Sequence, residues 1–349
     1  MSYGSYPDLI SVKRVLVIKL RHLGDVLLTT PLFSVLKRAL PSAEIDAYIY
    51  EEGRPLLEDH PAISNVLSYD RSWKKNFFKE VQILWQLRKR RYDMVINLTE
   101  GDRGALVARV SGAKIRVGVD RRRIYTHVAK SCPSLRHTVE RQLDVLRRIG
   151  IFPRQEEREL FLSIPHDAKR PIPWDDYILI HPTSRWRFKC LPVKTVCAVA
   201  RSLIERGEKL VFTSGSDPTE RAMIAEIIEG LPQDAVCSLA GAISLQELGA
   251  LIEQCKVLFC VDSLPLHMAS ALKAPVLVFF GPTSEITWGP WRNPHAKILT
   301  EQISCRPCYL DGCGGGKVSD CLQHFSEKRI VSELELLAKI REPSLSIIH

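Results

Sequence analysis

The first residue that could do chemistry is an aspartate that follows a short apolar segment near the start of the chain. Residues 15–18 form a β-branched run that predicts a strand, and Gly24-Asp25 separates it from apolar residues at helical spacing. Ligands of an open parallel sheet bind just beyond the carboxyl ends of its strands. A carboxylate there can act as a general base, but Asp is also a favoured helix cap. This stretch alone leaves Asp25 equally open to both interpretations.

A loop rich in hydroxyls and cations lies in the second half of the chain, between a predicted strand and a predicted helix. It is the segment 181–192, HPTSRWRFKCLP, in which Pro192 suits the first turn of the helix. Hydroxyls and cations before a helix N-terminus make a phosphate site, and the position beyond a strand favours this function over a solvated basic loop. The residues concerned are Thr183, Ser184, Arg185, Arg187 and Lys189.

A second loop of this half, the segment 213–220 with sequence TSGSDPTE, also joins a strand to a helix. Its carboxylates, Asp217 and Glu220, suit the hydroxyls of a ribose. An ordinary helix start explains them nearly as well, because Asp and Glu are favoured in the first turn of a helix.

The most specific stretch is a third strand-to-helix junction, in which the apolar run VLFCV leads directly into Asp262 and Ser263. Backbone N–H groups at that helix N-terminus would face a pyrophosphate. His267 follows on the first turns of the same helix. A binding role and a packed structural role for this histidine are equally open.

Strands alternate with helices along both halves of the chain, which predicts an α/β fold of βαβ units with parallel sheets. The proline-bearing segment 163–176 predicts a linker, with domains at 1–165 and 166–349 around one cleft. The predicted strands are 15–18, 44–50, 66–69, 93–98, 114–117, 177–180, 209–213, 236–239, 257–261 and 276–279. The predicted helices are a first one up to residue 40, then 76–91, 105–110, 137–149, 193–206, 218–229, 244–254, 264–272 and a final one at 331–341.

Charge is distributed unevenly over the 349 residues. Residues 1–170 hold 31 Lys and Arg against 20 Asp and Glu, whereas the remainder holds 18 against 20. A basic half suits a nucleic acid, an anionic membrane surface or a phosphorylated substrate, although solubilising surface charge is the common alternative. No signal peptide or membrane-length apolar run is present, so we expect a cytoplasmic protein. Neither G-x-G-x-x-G nor a P-loop motif occurs, which argues against a dehydrogenase and a P-loop nucleotidase.

Four of the ten cysteines are clustered in a glycine-rich stretch near the C-terminus. The first two have the spacing of a zinc knuckle, but a second C-x-x-C pair is missing. Reduced loop thiols are therefore the expected state in the cytoplasm, and a zinc site is the alternative. The cluster comprises Cys305, Cys308, Cys313 and Cys321.

Together these stretches resemble the bacterial heptosyltransferases of glycosyltransferase family nine, over nearly the whole chain. The resemblance is carried by the segment 23–31 (LGDVLLTTP), Lys189 with Pro192, and Asp262-Ser263 with His267. The details most similar to the third heptosyltransferase of this family are Arg21-His22, Phe188-Lys189-Cys190 and the segment 261–265.

The resemblance implies a GT-B fold, in which two Rossmann-like domains face a central cleft. The N-terminal domain would bind the acceptor and the C-terminal domain the ADP-sugar. It further implies an inverting transfer of heptose from ADP-L-glycero-D-manno-heptose to a heptose of the lipopolysaccharide inner core, with Asp25 as the general base. The implied donor-binding residues are Thr183, Ser184, Lys189, Asp217, Glu220, Asp262, Ser263 and His267, and the choice between Asp217 and Glu220 for the ribose stays open.

The implied acceptor is a lipid A-core oligosaccharide, which is anionic and lies in the membrane. We therefore expect the basic first half to bind the acceptor or the bilayer, with peripheral association at the cytoplasmic surface of the inner membrane. The protein itself supplies the positive charge that the leaving phosphate needs, so no cofactor or metal is required. The candidate acceptor-binding residues are Lys19, Arg21, Gly24, Arg71, Lys74, Arg121, Arg122 and Arg123.

Two alternatives remain at this stage. Within the family, the alternative is heptosyltransferase I or II, which would differ in the acceptor. The sequence does not specify the acceptor heptose, the phosphorylation of the acceptor or the oligomeric state. Outside it, the basic half would suit a non-enzymatic nucleic-acid-binding protein. No nucleic-acid-binding motif is present and aromatic residues make up 7% of the chain, so we expect no nucleic-acid partner.

Overall fold

A computed structural model describes residues 6–120, 123–129 and 135–341 of the chain. The chain divides into two compact units, Met1–Ser163 and Ile164–His349. The division falls at the start of the proline-bearing segment 163–176. Within the described ranges, no helix has the length and apolar character needed to cross a membrane.

The first unit is a six-stranded sheet whose neighbouring strands all pair in parallel. Its strands are β1 (Arg14–Lys19), β2 (Glu44–Tyr50), β3 (Asn65–Tyr69), β4 (Met94–Asn97), β5 (Ile115–Gly118) and β6 (His127–Val128). Its α-helices are α1 (Leu23–Leu27), α2 (Thr30–Ala39), α3 (Phe77–Lys89), α4 (Asp102–Val110) and α5 (Thr138–Arg147), and its short 3-10 helices are Glu51–Leu56, Arg71–Lys75 and Glu156–Arg158. The strand order is β3-β2-β1-β4-β5-β6.

The second unit is another six-stranded parallel sheet. Its strands are β7 (Ile178–His181), β8 (Leu210–Phe212), β9 (Val236–Ser238), β10 (Val257–Val261), β11 (Val276–Phe279) and β12 (Ala296–Leu299). Its α-helices are α6 (Val193–Glu205), α7 (Pro218–Ile228), α8 (Leu245–Gln254), α9 (Leu264–Leu272), α10 (Glu285–Trp288) and α11 (Glu327–Ala338), and its 3-10 helices are Arg187–Lys189, Cys313–Gly315 and Asp320–Leu322. The strand order is β12-β11-β10-β7-β8-β9.

Both sheets have the strand order of dinucleotide-binding α/β domains, so the predicted α/β fold of parallel Rossmann-like sheets is confirmed. In this order the chain changes direction between β1 and β4 in the first unit, and between β7 and β10 in the second. Such folds bind ligands in the crevice at the carboxyl ends of these central strands. The candidate residues that follow β1, β7 and β10 therefore lie where this fold class places chemistry.

The central strands form the core because helices cover both of their faces. Residues 15–18 of β1 are at most 1% exposed, and every residue of β10 is fully buried. A strand buried on both faces has a continuous apolar sequence instead of an alternating one. This is why VLVI and VLFCV predict their strands so well.

One long helix was expected after Asp25, but the structure has two. The chain leaves α1 at Leu27 and starts α2 at Thr30, with Pro31 in its first turn. Proline within a continuous helix would lack an N–H group and would collide with the carbonyl four residues earlier. The hydroxyls of Thr29 and Thr30 donate to the carbonyls of Val26 and Leu27, at 2.5 and 2.8 Å, which satisfies the acceptors at the break.

Candidate active site

Asp25 does not cap a helix, so the capping interpretation is wrong. The N-cap of α1 is His22, and Asp25 is the third residue of the helix. Its Oδ1 atom lies 3.0 Å from Nζ of Lys19, the last residue of β1. The two side chains are 16% and 7% exposed. Sequence reasoning placed Lys19 among acceptor ligands, and the structure places its ammonium directly on the candidate base.

The end of the neighbouring strand β4 fixes this corner of the first sheet. The hydroxyl of Thr99 accepts a hydrogen bond from the backbone N–H of Leu20 at 2.7 Å, and the N–H of Thr99 donates to Asn97 at 3.0 Å. All three residues are buried. These bonds tie the start of the β1–α1 loop to β4, and the loop in turn carries Asp25.

The remaining candidate acceptor residues are distributed around the same edge. Arg21 is exposed and Gly24 is half-buried within α1. Arg71 follows β3, pairs with Glu52 at 3.4 Å and stacks over the ring of Tyr50, whose centroid is 4.2 Å away. Its guanidinium therefore lies beside the end of β2.

Part of the predicted basic cluster is not covered by the structure. Arg121, Arg122 and the side chain of Lys74 lie outside the described residues. Arg123 is described and is exposed. The acceptor-binding assignment of these four residues stays a prediction.

In the second unit, Lys189 and Asp262 meet at the carboxyl ends of β7 and β10. Nζ of Lys189 lies 2.7 Å from Oδ2 of Asp262, and the same oxygen accepts from the hydroxyl of Thr283, also at 2.7 Å. The Asp262 side chain is 6% exposed. A buried carboxylate needs such partners, because an unpaired buried charge is strongly unfavourable. Thr283 follows β11 and was not singled out from the sequence.

Buried neighbours fix the backbone that carries Lys189. Lys189 ends a 3-10 helix in which its N–H bonds to the carbonyl of Trp186 at 2.9 Å. Phe188 and Leu191 on either side are buried. The hydroxyl of Ser319 donates to the carbonyl of Phe188 at 2.7 Å. The lysine is therefore presented from an anchored loop.

The structure separates the two candidate ribose ligands. Glu220 Oε2 accepts from the hydroxyl of Thr183 at 2.7 Å and from the N–H of Gly215 at 3.1 Å. A Cβ atom on Gly215 would lie 2.9 Å from the other oxygen of Glu220, so a larger residue here would displace that carboxylate. Asp217 is exposed and caps α7 by accepting from the N–H of Thr219 at 2.8 Å.

These bonds also explain the titration of Asp217. Its hydrogen bonds from the side chain and backbone of Thr219 hold the pKa of the carboxyl below its usual value. Asp217 therefore serves the helix start, whereas Glu220 lies beside the Thr183 loop.

The other predicted donor residues surround the same strand ends. Thr183 and Ser184 are buried after β7, and Ser184 accepts from the N–H of Trp186 at 3.3 Å. Ser263 is the N-cap of α9, but its hydroxyl donates back to the carbonyl of Val261 at 3.2 Å and does not cap the helix. His267 is buried in the second turn of α9.

Burial sets the titration of two groups beside this site. It lowers the pKa of His181, the last residue of β7, to about 4, so the imidazole is neutral at pH 7. His181 Nδ1 lies 2.9 Å from the hydroxyl of Thr213. Burial also raises the pKa of the Cys190 thiol to about 11, which keeps it protonated and poorly nucleophilic.

The cysteine cluster holds four free thiols. Cys305 and Cys313 are exposed, Cys308 is half-buried and Cys321 is buried. Among residues 6–120, 123–129 and 135–341, no three His, Cys, Asp or Glu side chains are grouped as a metal ion would require. Burial raises the pKa of the Cys321 thiol to about 11.

Four adjacent strands of the second sheet thus contribute polar groups to one edge. In sheet order these are β8, β7, β10 and β11. Glu220 follows β8, and Lys189 and the hydroxyl of Thr183 follow β7. Asp262 and the N-terminus of α9 follow β10, and the hydroxyl of Thr283 follows β11. This combination suits a nucleoside diphosphate, because hydroxyl and carboxylate acceptors bind a ribose while cations and N–H groups bind phosphates.

The comparisons with known proteins agree with this chemistry. Residues 81–318 match the sequence profile of glycosyltransferase family 9 (heptosyltransferase). The chain is 32% identical over 298 residues to lipopolysaccharide heptosyltransferase 3 of Escherichia coli, an alignment that covers 78% of this chain and 85% of the relative.

Two solved structures have the same fold. E. coli ADP-heptose lipopolysaccharide heptosyltransferase II superposes with a TM-score of 0.79 at 22% identity, covering 95% of this chain and all of the other. E. coli heptosyltransferase WaaC, solved with ADP-2-deoxy-2-fluoro heptose, gives 0.68 at 21% identity, covering 92% and 99%. At these identities the likeness establishes the fold alone.

Proposed function

Because the chain belongs to glycosyltransferase family 9, a family of heptosyltransferases, we propose that it transfers heptose from ADP-L-glycero-D-manno-heptose to a heptose of the lipopolysaccharide inner core. The observation that carries the proposal is the 32% identity to lipopolysaccharide heptosyltransferase 3 across 78% of the chain. Family membership makes the chain a glycosyltransferase, so the nucleic-acid-binding alternative loses its basis.

We assign the donor to the second unit. The ammonium of Lys189 has three donor hydrogens, and Asp262 accepts one of them, so the others can bind a diphosphate. The N-terminus of α9 adds a positive end of a helix dipole. We assign the ribose to Glu220, which is already aligned by Thr183, and not to the exposed cap Asp217. Ser184 and His267 complete the proposed donor site.

We assign the proton transfer to Asp25 in the first unit. Lys19 contacts one oxygen of this carboxylate, at 3.0 Å. The second oxygen would accept the proton of the acceptor hydroxyl, a step that contributes about 10²–10⁴-fold to the rate. The hydroxyl then attacks the anomeric carbon opposite the diphosphate in one displacement, which inverts the configuration.

The departing ADP gains negative charge as the glycosidic bond to its phosphate breaks. In this proposal Lys189 and the start of α9 stabilise that charge, and such fixed groups need little reorganisation during the reaction. A single displacement also requires that the acceptor hydroxyl, bound at Asp25, reach the anomeric carbon of the donor while Lys189 binds the donor. The proposed acceptor is a lipid A-core oligosaccharide, so we place the protein peripherally at the cytoplasmic surface of the inner membrane.

The proposal is tested by ADP release from ADP-heptose with purified core acceptors that carry no heptose or one, two or three heptoses. We expect turnover with an acceptor that already ends in two heptoses, since the relative above is the third heptosyltransferase. Turnover with an acceptor that lacks the second heptose would instead indicate the specificity of heptosyltransferase I or II. No ADP release with any heptose-bearing acceptor would contradict the proposed function.

A further inference from the structure

An apolar stripe on the outward side of α3 is not explained by the transfer chemistry. Phe77, Phe78, Val81 and Trp85 are 75%, 82%, 47% and 55% exposed. Positions 78, 81 and 85 recur at helical spacing, so their side chains share one face. A contiguous exposed patch of large apolar side chains marks an interaction surface on a folded protein.

The opposite side of α3 already anchors the helix to the first unit. Leu87 is buried, and Ile83 and Leu84 pack against the core. Glu80 accepts from the hydroxyl of Tyr69 and from Arg103 Nη1 at 2.9 Å. The helix therefore presents its outward stripe from a fixed position, and the stripe is surplus to the fold.

The charges around the stripe specify the kind of partner. Residues 71–92 contain eight Lys and Arg and a single acidic residue, Glu80, which is turned inward. Nζ of Lys89 lies 3.4 Å from the centroid of the Trp85 ring, and Nζ of Lys79 lies 5.2 Å from that of Trp73. Aromatic rings bordered by lysines are typical of helices that lie in the interface of an anionic membrane.

We propose that the outward face of α3, formed by Phe77, Phe78, Val81 and Trp85, inserts into the interface of an anionic lipid bilayer. The apolar side chains enter the boundary between headgroups and acyl chains, while Lys79 and Lys89 extend to lipid phosphates. This inference deepens the proposed function and rests on it, because the membrane-bound acceptor is the reason that the protein should be at a bilayer. It assigns the bilayer contact to residues that the acceptor and donor assignments do not use.

The test is sedimentation of the full chain with vesicles of phosphatidylcholine, either alone or with 30 mol% phosphatidylglycerol. We expect at least about tenfold stronger partitioning onto the anionic vesicles. The double variant Phe78→Ser/Trp85→Ser should lose at least about tenfold of that affinity, because it removes the two aromatic rings that share one face of α3 with Val81. The matched control is Phe152→Ser, which alters another exposed phenylalanine of the first unit and should bind as the wild type does.

Insertion is distinguished from electrostatic adsorption by fluorescence quenching with brominated lipids. We expect quenching of the wild type and markedly less quenching of Trp85→Phe at equal bound fraction. Equal partitioning of the wild type and the double variant would overturn the proposal. So would a wild-type dimer that the double variant converts to a monomer without any loss of vesicle binding, since the stripe would then join two copies.

The outcome is separable from that of the proposed function. The double variant should bind ADP and turn over a water-soluble, deacylated core acceptor as the wild type does, because the substituted residues lie outside both proposed substrate sites. Vesicle binding without heptosyl transfer would leave the membrane surface standing while removing the proposed function. Heptosyl transfer with no vesicle binding by the wild type would support the proposed function and overturn the proposed membrane surface.

Discussion

Exchange of Glu220 for glutamine tests how the second unit binds its nucleotide. Glu220 Oε2 accepts from Thr183 at 2.7 Å and from Gly215 at 3.1 Å, and glutamine retains an acceptor oxygen and the same shape. The loss of charge removes a charge-assisted hydrogen bond to the ribose, worth about 1.5–3 kcal/mol. The Kd for ADP should therefore rise about 10- to 100-fold, as measured by isothermal titration calorimetry.

The same loop provides a matched control. Asp217→Asn also removes one negative charge, three residues away, but Asn caps a helix about as well as Asp does. We expect this variant to bind ADP within about twofold of the wild type. Thermal unfolding of both variants verifies that a change in affinity does not reflect a change in folding.

A contact with the ribose also predicts a nucleotide-specific effect. The wild type should bind ADP more tightly than 2′-deoxy-ADP, and Glu220→Gln should lose most of that difference, as a double-mutant cycle would show. If Asp217→Asn weakens ADP binding as much as Glu220→Gln does, or if Glu220→Gln binds ADP normally, the assignment of the ribose to Glu220 is wrong.

Three further predictions follow from the charges of the two units. Lys189→Met should weaken ADP binding and destabilise folding by about 3 kcal/mol, because it leaves Asp262 buried without its cation. In urea unfolding, Lys189→Met/Asp262→Leu should recover the lost stability, but it should not recover the affinity for ADP. Burial lowers the pKa values of His60 and His181 to about 4. Each neutral ring therefore contributes about 3 kcal/mol of stability that is present above pH 6.5 and is lost as the pH falls towards 4. In urea unfolding, the stability of His60→Gln should fall less steeply with decreasing pH than that of the wild type. Charge reversal at residues 121–123 should raise the KM for the acceptor and leave the KM for ADP-heptose unchanged in steady-state assays; an unchanged acceptor KM would refute that assignment.

The sequence predicts the central strands well and misses one edge strand in each described sheet. The runs at 257–261 and 276–279 coincide with β10 and β11, because strands buried on both faces have continuous apolar sequences. The run at 44–50, which was predicted from its alternation, coincides with β2. Two edge strands, β6 and β12, were not predicted. The first has two residues, and the four of the second are mostly half-buried or exposed, so neither leaves a clear apolar pattern.

The features of the candidate site that the sequence did not predict depend on contacts between residues that are distant in the chain. Thr283 contacts Asp262 across 21 positions because β10 and β11 are neighbours in the sheet, and only the strand order reveals this. Asp217 and Glu220 both fit the first turn of a helix, so local pattern could not choose between them. Their separate roles depend on whether Thr183, 37 positions before Glu220, reaches the carboxylate.

Both sheets also have the strand order of dinucleotide-binding domains without the glycine fingerprint of such domains. That fingerprint allows a pyrophosphate to approach the backbone closely. In this chain, Lys189 and Asp262 lie on neighbouring strand ends where the fold places a ligand. The absence of the motif therefore argues against a dehydrogenase without arguing against a nucleotide site.

The most direct test of the central assignment compares Asp25→Asn with the wild type in ADP release from ADP-heptose and a core acceptor. The control is Asp59→Asn, the same change at an exposed position of the first unit. If Asp25 is the base, its variant should lose at least about 10²-fold in kcat while it binds ADP with an unchanged Kd, and the control should retain full activity. Near-normal kcat for Asp25→Asn would contradict the account.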